Sequence, residues 1–237
     1  MLPHYSPAQL LALWEQGVRR HPIDRALLLG IWARPDLSPA RLSDLPLGTL
    51  NRALLHFRES CFGSHISACV DCEYCGTRLE LVLDTGQLLA DTHDNDTLTE
   101  FEISGLRFHV PCSRDLAVIA MEQDISAAAL KLLQQCCLSD SAETGMDLTS
   151  MLTEAEGAME TLDPAADISL SLACEDCGHR SSASLDIGAL LWSEIDVHAR
   201  TLLFEVHRLA RAYGWTEPEI LALSPQRRAA YLDMVDA

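Results

Sequence analysis

The sequence predicts an α+β fold: helical N- and C-terminal segments around a split pair of cysteine hairpins, with a mixed α/β acidic insertion between the hairpins. Three observations carry this. A heptad is written twice, CEYCGTR at 72–78 and CEDCGHR at 174–180. The stretches before the first copy and after the second space their apolar residues at helical intervals. The segment between the copies mixes alternating and helical patterns and holds most of the negative charge.

The N-terminal helical segment, residues 1–65, is marked by start and stop signals. In SPAQLLALWEQG, Ser6 stands as cap, Pro7 as first helical residue and Gly17 as terminator. HPIDRALLLGIWARP spaces its apolar residues helically and stops before Pro35. LSPARLSDLPLGTLNRALLHFRESCFG then supplies a short turn of helix and a longer amphipathic helix that ends near Gly63.

The first hairpin, residues 66–89, and the second, 166–191, are copies of each other. ISACVDCEYCGTRLELVLDTGQLL at 66–89 aligns without a gap on ISLSLACEDCGHRSSASLDIGALL at 168–191 and agrees at half the positions. Each copy reads as strand, knuckle, strand and a turn into a helix. Two cysteines three apart, followed by Gly, let the backbone wrap round a metal so that both thiolates face it, with the glycine in the left-handed conformation that closes the turn. One knuckle supplies two ligands, whereas tetrahedral zinc takes four. Paired face to face about a pseudo-twofold axis, the knuckles would supply Cys72, Cys75, Cys174 and Cys177, the four-thiolate structural site of a split zinc ribbon with one zinc per chain. Soft thiolates select zinc or iron–sulfur over hard cations.

Two other readings of these cysteines stand beside that one. A redox CxxC pair is disfavoured because thioredoxin-type motifs sit at a helix N-terminus after a strand, whereas these lie between short strands. The other is a ribbon that has lost its metal. Cys69 lies three before Cys72, but its counterpart in the repeat is Ser171, so it is not counted as a ligand. Cys61, Cys112, Cys136 and Cys137 read as buried small apolar residues.

The acidic inserted lobe, residues 90–165, opens with a polar loop, DTHDNDTLTE. FEISGLRFHVP predicts two short strands around Gly105, SRDLAVIAM and ISAAALKLLQQCCL predict helices, and SDSAETGMDLT and DPAAD read as linkers. The C-terminal helices, residues 192–237, continue a helix whose first residues close the second copy. LDIGALLWSEIDVHARTLLFEVHRLARAYG places Leu191, Ile195, Leu202, Val206 and Leu209 near one stripe and ends at Gly214. TEPE is a capping box at Thr216 and Glu219, and SPQRRAAYLDMV restarts a helix at Ser224, which predicts a helical hairpin with a final short helix.

Composition excludes several roles. The net charge is −18, and residues 61–186 hold 23 of the 35 acids but only five of the 17 Lys and Arg, among them the single lysine, Lys131. Binding nucleic acid needs clustered Lys and Arg to neutralise phosphates, so no nucleic-acid partner is expected. The acidic segment reads as a solvated surface or as one that docks onto a basic protein. No apolar run approaches the ~20 residues of a membrane span, and the N-terminus lacks a basic region with a cleavage site, so a cytoplasmic protein is expected. Nine cysteines, odd in number and clustered, suit metal or redox chemistry better than a secreted disulfide framework. Histidines occur singly, and HExxH, GxSxG, Walker-type and GxGxxG patterns are absent. Four protein thiolates leave zinc no open position for Lewis-acid work, so a non-enzymatic protein is expected.

The motifs HPIDRALLL and LSDLPLGTLNRALLHFRESCFG, the knuckle CEYCGTRLELVLD, LRFHVPCSRDLAVIA, the second knuckle, and LLWSEIDVHARTLLFEVHRLARAYGWTEPEILALSPQRRAAYLDMV together resemble proteins encoded beside contractile phage tails and extracellular contractile injection systems. They are similar to the T-even-type baseplate hub or hub-assembly-chaperone family. The resemblance spans nearly the whole chain, and its most specific parts are the element Phe108–Leu116 and the tail AYGWTEPEILALSPQRRAAYL. It implies a baseplate or hub component or an assembly chaperone, with baseplate, hub or spike proteins as partners and a place in the cytoplasm or in the assembled particle. The metal site rests on the cysteines and not on the resemblance. Two readings from other classes are a general zinc-ribbon adaptor unconnected with injection machines and a thiol–disulfide enzyme using one CxxC.

Overall fold

Capping chemistry sets where the helices begin. In the computed structural model, which describes residues 5–89, 97–139 and 148–236, Ser6 Oγ accepts from the Gln9 amide at 3.2 Å while Gln9 Oε1 accepts from the Ser6 amide at 2.8 Å, a reciprocal box that starts α1 (Pro7–Gly17). α2 (Pro22–Ala33) starts behind His21 and α3 (Pro39–Ser43) behind Ser38, each again with proline in its first turn. α4 (Leu47–Phe62) has no side-chain cap of its own. Its orphan amides are satisfied from the inserted lobe: Leu47 donates to the Pro111 carbonyl at 3.1 Å and Gly48 to Asp163 Oδ2 at 2.9 Å.

Three separate two-stranded antiparallel sheets follow. β1 (His65–Asp71) pairs with β2 (Arg78–Asp84), with Ile66 opposite Leu83 and Asp71 opposite Arg78, and the short α5 (Thr85–Leu89) follows directly. β3 (Glu100–Ile103) and β4 (Leu106–His109) form a tight hairpin whose turn residues, Ser104 and Gly105, both take positive φ. The lobe continues through α6 (Ser113–Ile119), α7 (Ile125–Cys136), a 3-10 turn (Leu148–Met151) and α8 (Leu152–Leu162). β5 (Ser169–Ala173) and β6 (Arg180–Ser184) make the third hairpin, with Ala173 opposite Arg180. α9 (Ile187–Tyr213), α10 (Glu217–Leu221) and α11 (Pro225–Asp236) complete the chain.

α9 is the spine. Asp186 caps its start at Ala189, and Gly214, in the left-handed conformation at φ 68°, ends it. Its buried stripe, Leu191, Ile195, Ala199, Leu202 and Leu209, packs against α1, α2 and α4 on one side and α10 and α11 on the other. The main core gathers Leu13, Leu29, Leu54 and Leu55 with Ile66, Ile187, Leu191 and Ile195, so the feet of both cysteine hairpins are part of it. The inserted lobe has a core of its own around Ile103, Phe108, Leu133, Met151 and Ala155.

The mixed α+β composition and the elements read from the sequence are present, with three differences. α8 occupies a stretch for which the sequence pattern predicts no element, and Leu148 and Thr149, at the end of a predicted linker, open the 3-10 turn before it. The inserted lobe, expected from the sequence as a second lobe projecting from the ribbon, is also anchored beside the helices. A bridge between Pro46 and Cys112, and a hydrogen bond from Asn51 Nδ2 to the Ala165 carbonyl at 2.9 Å, tie it to the start of α4. At the C-terminus the short helix, α10, comes in the middle, and α11 is the longer final one. Most of the polar loop DTHDNDTLTE and of the linker SDSAETGMDLT, at 91–96 and 140–147, lies outside the described residues.

Candidate metal centre

Each cysteine hairpin is fixed at its foot and shaped at its tip by the repeated residues. At the feet, the Thr85 amide donates to the Ser64 carbonyl at 2.9 Å, and in the second copy Leu185, which aligns with Leu83, donates to the Ile168 carbonyl at 2.8 Å. The aspartates of the shared L-D-x-G motif serve both copies: Asp84 Oδ1 accepts from Gly86 and Asp186 Oδ1 from Ala189. Arg58, from α4, locks the first foot to the spine. Its guanidinium forms a two-pronged pair with Glu194 of α9 at 2.7 and 2.9 Å and donates to the Gly63 and His65 carbonyls at 2.6 and 2.7 Å.

At the tips the two backbones do the same thing. The Gly76 amide donates to the Cys72 carbonyl at 2.8 Å and Gly178 to Cys174 at 2.9 Å, while the Cys72 and Cys174 amides return bonds to the Thr77 and His179 carbonyls. Gly76 and Gly178 sit at φ +74° and +72°, a conformation that suits glycine alone without strain.

The tips then meet reciprocally. The first cysteine of each copy faces the second of the other: Cys72 Sγ lies 3.7 Å from Cys177 Sγ, and Cys75 Sγ 3.6 Å from Cys174 Sγ. The flanking residues repeat the exchange. Tyr74 stacks on His179 with centroids 5.8 Å apart, and Thr77 Oγ1, at the place equivalent to His179, donates to Asp176 Oδ2, at the place equivalent to Tyr74, at 2.8 Å. Position three of each heptad thus contacts position six of the other, the pattern a pseudo-twofold axis produces.

All four sulfurs lie within 4.8 Å of one another, Cys72 and Cys174 buried and Cys75 and Cys177 on the outer side. Thiolates about 2.3 Å from a tetrahedral ion stand roughly 3.8 Å apart, close to the measured pairs, whereas a disulfide would bring its sulfurs to about 2.05 Å. The donor set therefore fits a thiophilic metal ion. Cys69 lies outside it, exposed and opposite Glu80 in the β1–β2 ladder.

A second buried group, His109, Asp115 and Cys136, also falls within 4.8 Å. Its separations are longer, 3.8 Å from His109 Nδ1 to Asp115 Oδ2 and 4.0 Å from Cys136 Sγ to the same oxygen. The group is occupied otherwise. His109 Nδ1 is 2.9 Å from the Val110 carbonyl, and Asp115 Oδ2 accepts from the Cys112 amide at 2.9 Å as part of the box that caps α6. Burial pushes the Cys112 thiol up to about 11 and the Cys136 thiol up as well, which leaves both protonated and poor nucleophiles at neutral pH. Cys112 is thus a capping residue, a use of cysteine the sequence reading did not foresee, while Cys136 is a buried one.

The sequence reading named the four clustered cysteines but missed Tyr74, Thr77, Asp176, His179 and Arg58. Among the described residues, no helix is long and apolar enough to cross a membrane. No family model, curated protein or solved structure matches the chain.

Proposed function

We propose that this chain is a non-enzymatic protein of a contractile tail-like injection machine, a baseplate or hub component or a hub-assembly chaperone, fastened by a structural zinc ion in a split ribbon. The observation that supports the structural-metal part of the reading is the reciprocal four-sulfur junction, which joins cysteines 99 and 105 residues apart in the sequence. Zinc held by four thiolates has every tetrahedral position taken by protein, so it fastens and does not catalyse. Here it would tie the tip of the hairpin that follows α4 to the tip of the hairpin that precedes α9, while the main core holds the helical ends.

The machine is suggested by the resemblance of the N-terminal helices, the Phe108–Leu116 element and the tail from Tyr213 onward to the baseplate hub and hub-chaperone family. Partners are then baseplate, hub or spike proteins, met through surfaces of the helical ends and the acidic lobe. The test is to tag the protein in its native host, sediment sheath–tube particles and search them, the free hub proteins and the remaining lysate by mass spectrometry. Presence in particles makes it a component, and presence with free hub proteins alone makes it a chaperone. Absence from both overturns the reading in favour of a zinc-ribbon adaptor.

A further inference from the structure

The inserted lobe carries a groove of about 480 Å³ between α7 and α8, continuing to the start of β5. Its floor is apolar, from Leu132 of α7 to Leu152, Ala155 and Met159 of α8. The charged residues lining it are all acids. Two of these have structural duties: Asp163 accepts from the Gly48 amide and Asp167 from Ser184 Oγ. Glu156 and Glu160 have none. Both are exposed, neither makes a hydrogen bond or ion pair among the described residues, and they stand four apart on α8. Like charges at that spacing destabilise a helix, and no helical basic residue offsets them, because α8 contains no Lys or Arg.

A trough between two helices with an apolar floor and an unpaired anionic rim matches one kind of occupant. We infer that this groove binds a cationic amphipathic helix of a partner protein. The partner's apolar stripe enters the floor, where the flexible Met159 adapts to its side chains, while its Lys and Arg reach Glu156 and Glu160. The chain cannot complement its own groove. Segments 90–96 and 140–147 contain acids but no Lys or Arg, and a second copy carries a net charge of −18. The inference rests on the reading of the chain as a protein-docking component, and it requires neither the zinc ion nor any particular machine.

Fluorescence anisotropy of a labelled leucine–lysine peptide in amphipathic order, about four helical turns long, titrated with the intact metal-loaded protein tests it. The expected result is saturable one-to-one binding that weakens as salt rises. The exposed pair Glu156→Lys/Glu160→Lys weakens it by about tenfold or more, and Leu132→Gln weakens it through the floor. The charge-matched control Glu15→Lys/Glu59→Lys, on α1 and α4, leaves it unchanged. The inference is overturned by absent binding, by equal binding of a scrambled peptide of the same composition, or by equal losses in the control, which would mean that bulk charge alone attracts the peptide. The experiment uses isolated protein, so its failure is separate from a failure to find the chain with particles.

Discussion

Arg58 shows how much one side chain decides. It is 2 % exposed, and its guanidinium serves Glu194 and two carbonyls at the entrance to β1. Removing the carboxylate strands a guanidinium that water cannot reach, the situation in which breaking a buried pair costs most. Glu194 itself is a quarter exposed, which lowers the figure. Glu194→Ala is expected to lower the unfolding free energy by about 2 to 3 kcal/mol, measured by urea denaturation of the metal-loaded protein. A loss below about 0.5 kcal/mol, the size of an ordinary surface pair, would mean that Arg58 is adequately held by the Gly63 and His65 carbonyls. The signal was present in the sequence: Arg58 stands four after Leu54 and three after Leu55, a charge set on the apolar face of a helix. The four clustered cysteines were legible because the repeat holds register through them. Their neighbours were not, because the axis pairs unlike residues, tyrosine with histidine and threonine with aspartate, and identity between copies gives no hint of that.

Helices were legible wherever their start signal is local. Ser6, Ser38, Asp186 and Thr216 each sit beside the amides they serve. α8 was missed because Met151 makes no capping bond and Gly157 interrupts the stretch. The cap of α4 was invisible for another reason: Asp163 lies 115 residues from Gly48. That distant cap has a pH signature. Burial raises the Asp163 carboxyl above its ordinary range, against the Gly48 hydrogen bond, which pulls it down. A group whose folded value is raised contributes stability that is full below its unfolded value, about 4, and is lost as pH rises through the folded value. At neutral pH the ionised Asp163 is therefore a net cost, and Asp163→Asn, which keeps an acceptor for Gly48, is expected to raise the thermal midpoint at pH 7. The gain should shrink toward pH 4. Both proteins carry the same cysteine cluster, so acid release of metal cancels in the difference. A variant less stable than the parent at pH 7 would show instead that the negative charge at the start of α4 outweighs its desolvation.

At the scale of the whole molecule, the question is what holds the hairpin tips. Their feet are not in doubt, since Ile66, Leu83, Leu185 and Ile187 belong to or pack on the main core. Beyond that the strands alternate exposed and half-buried residues, save for Leu172 of β5, which is buried, and among the described residues no ladder joins one hairpin to the other. An isolated two-stranded hairpin is marginal in water, and one threonine–aspartate bond with one stacked ring pair adds little. Binding of zinc to four thiolates is worth about 10 kcal/mol or more in small zinc domains, so a bound zinc ion would dominate at the tips and the apolar core elsewhere. Elemental analysis should accordingly give close to one zinc per chain, lost when Cys174 and Cys177 are both replaced by Ser. The helical circular dichroism of that variant should persist, because α1, α2, α4 and α9 pack without help from the sulfurs. Hydrogen exchange at the Cys72 and Cys174 amides, protected by the Thr77 and His179 carbonyls, should speed up while the buried stripe of α9 stays slow. Slow exchange at those two amides without metal would mean that the knuckles support themselves and the ion is incidental. Collapse of the helices as well would mean that the staple governs folding of the entire chain, and that the main core alone does not suffice.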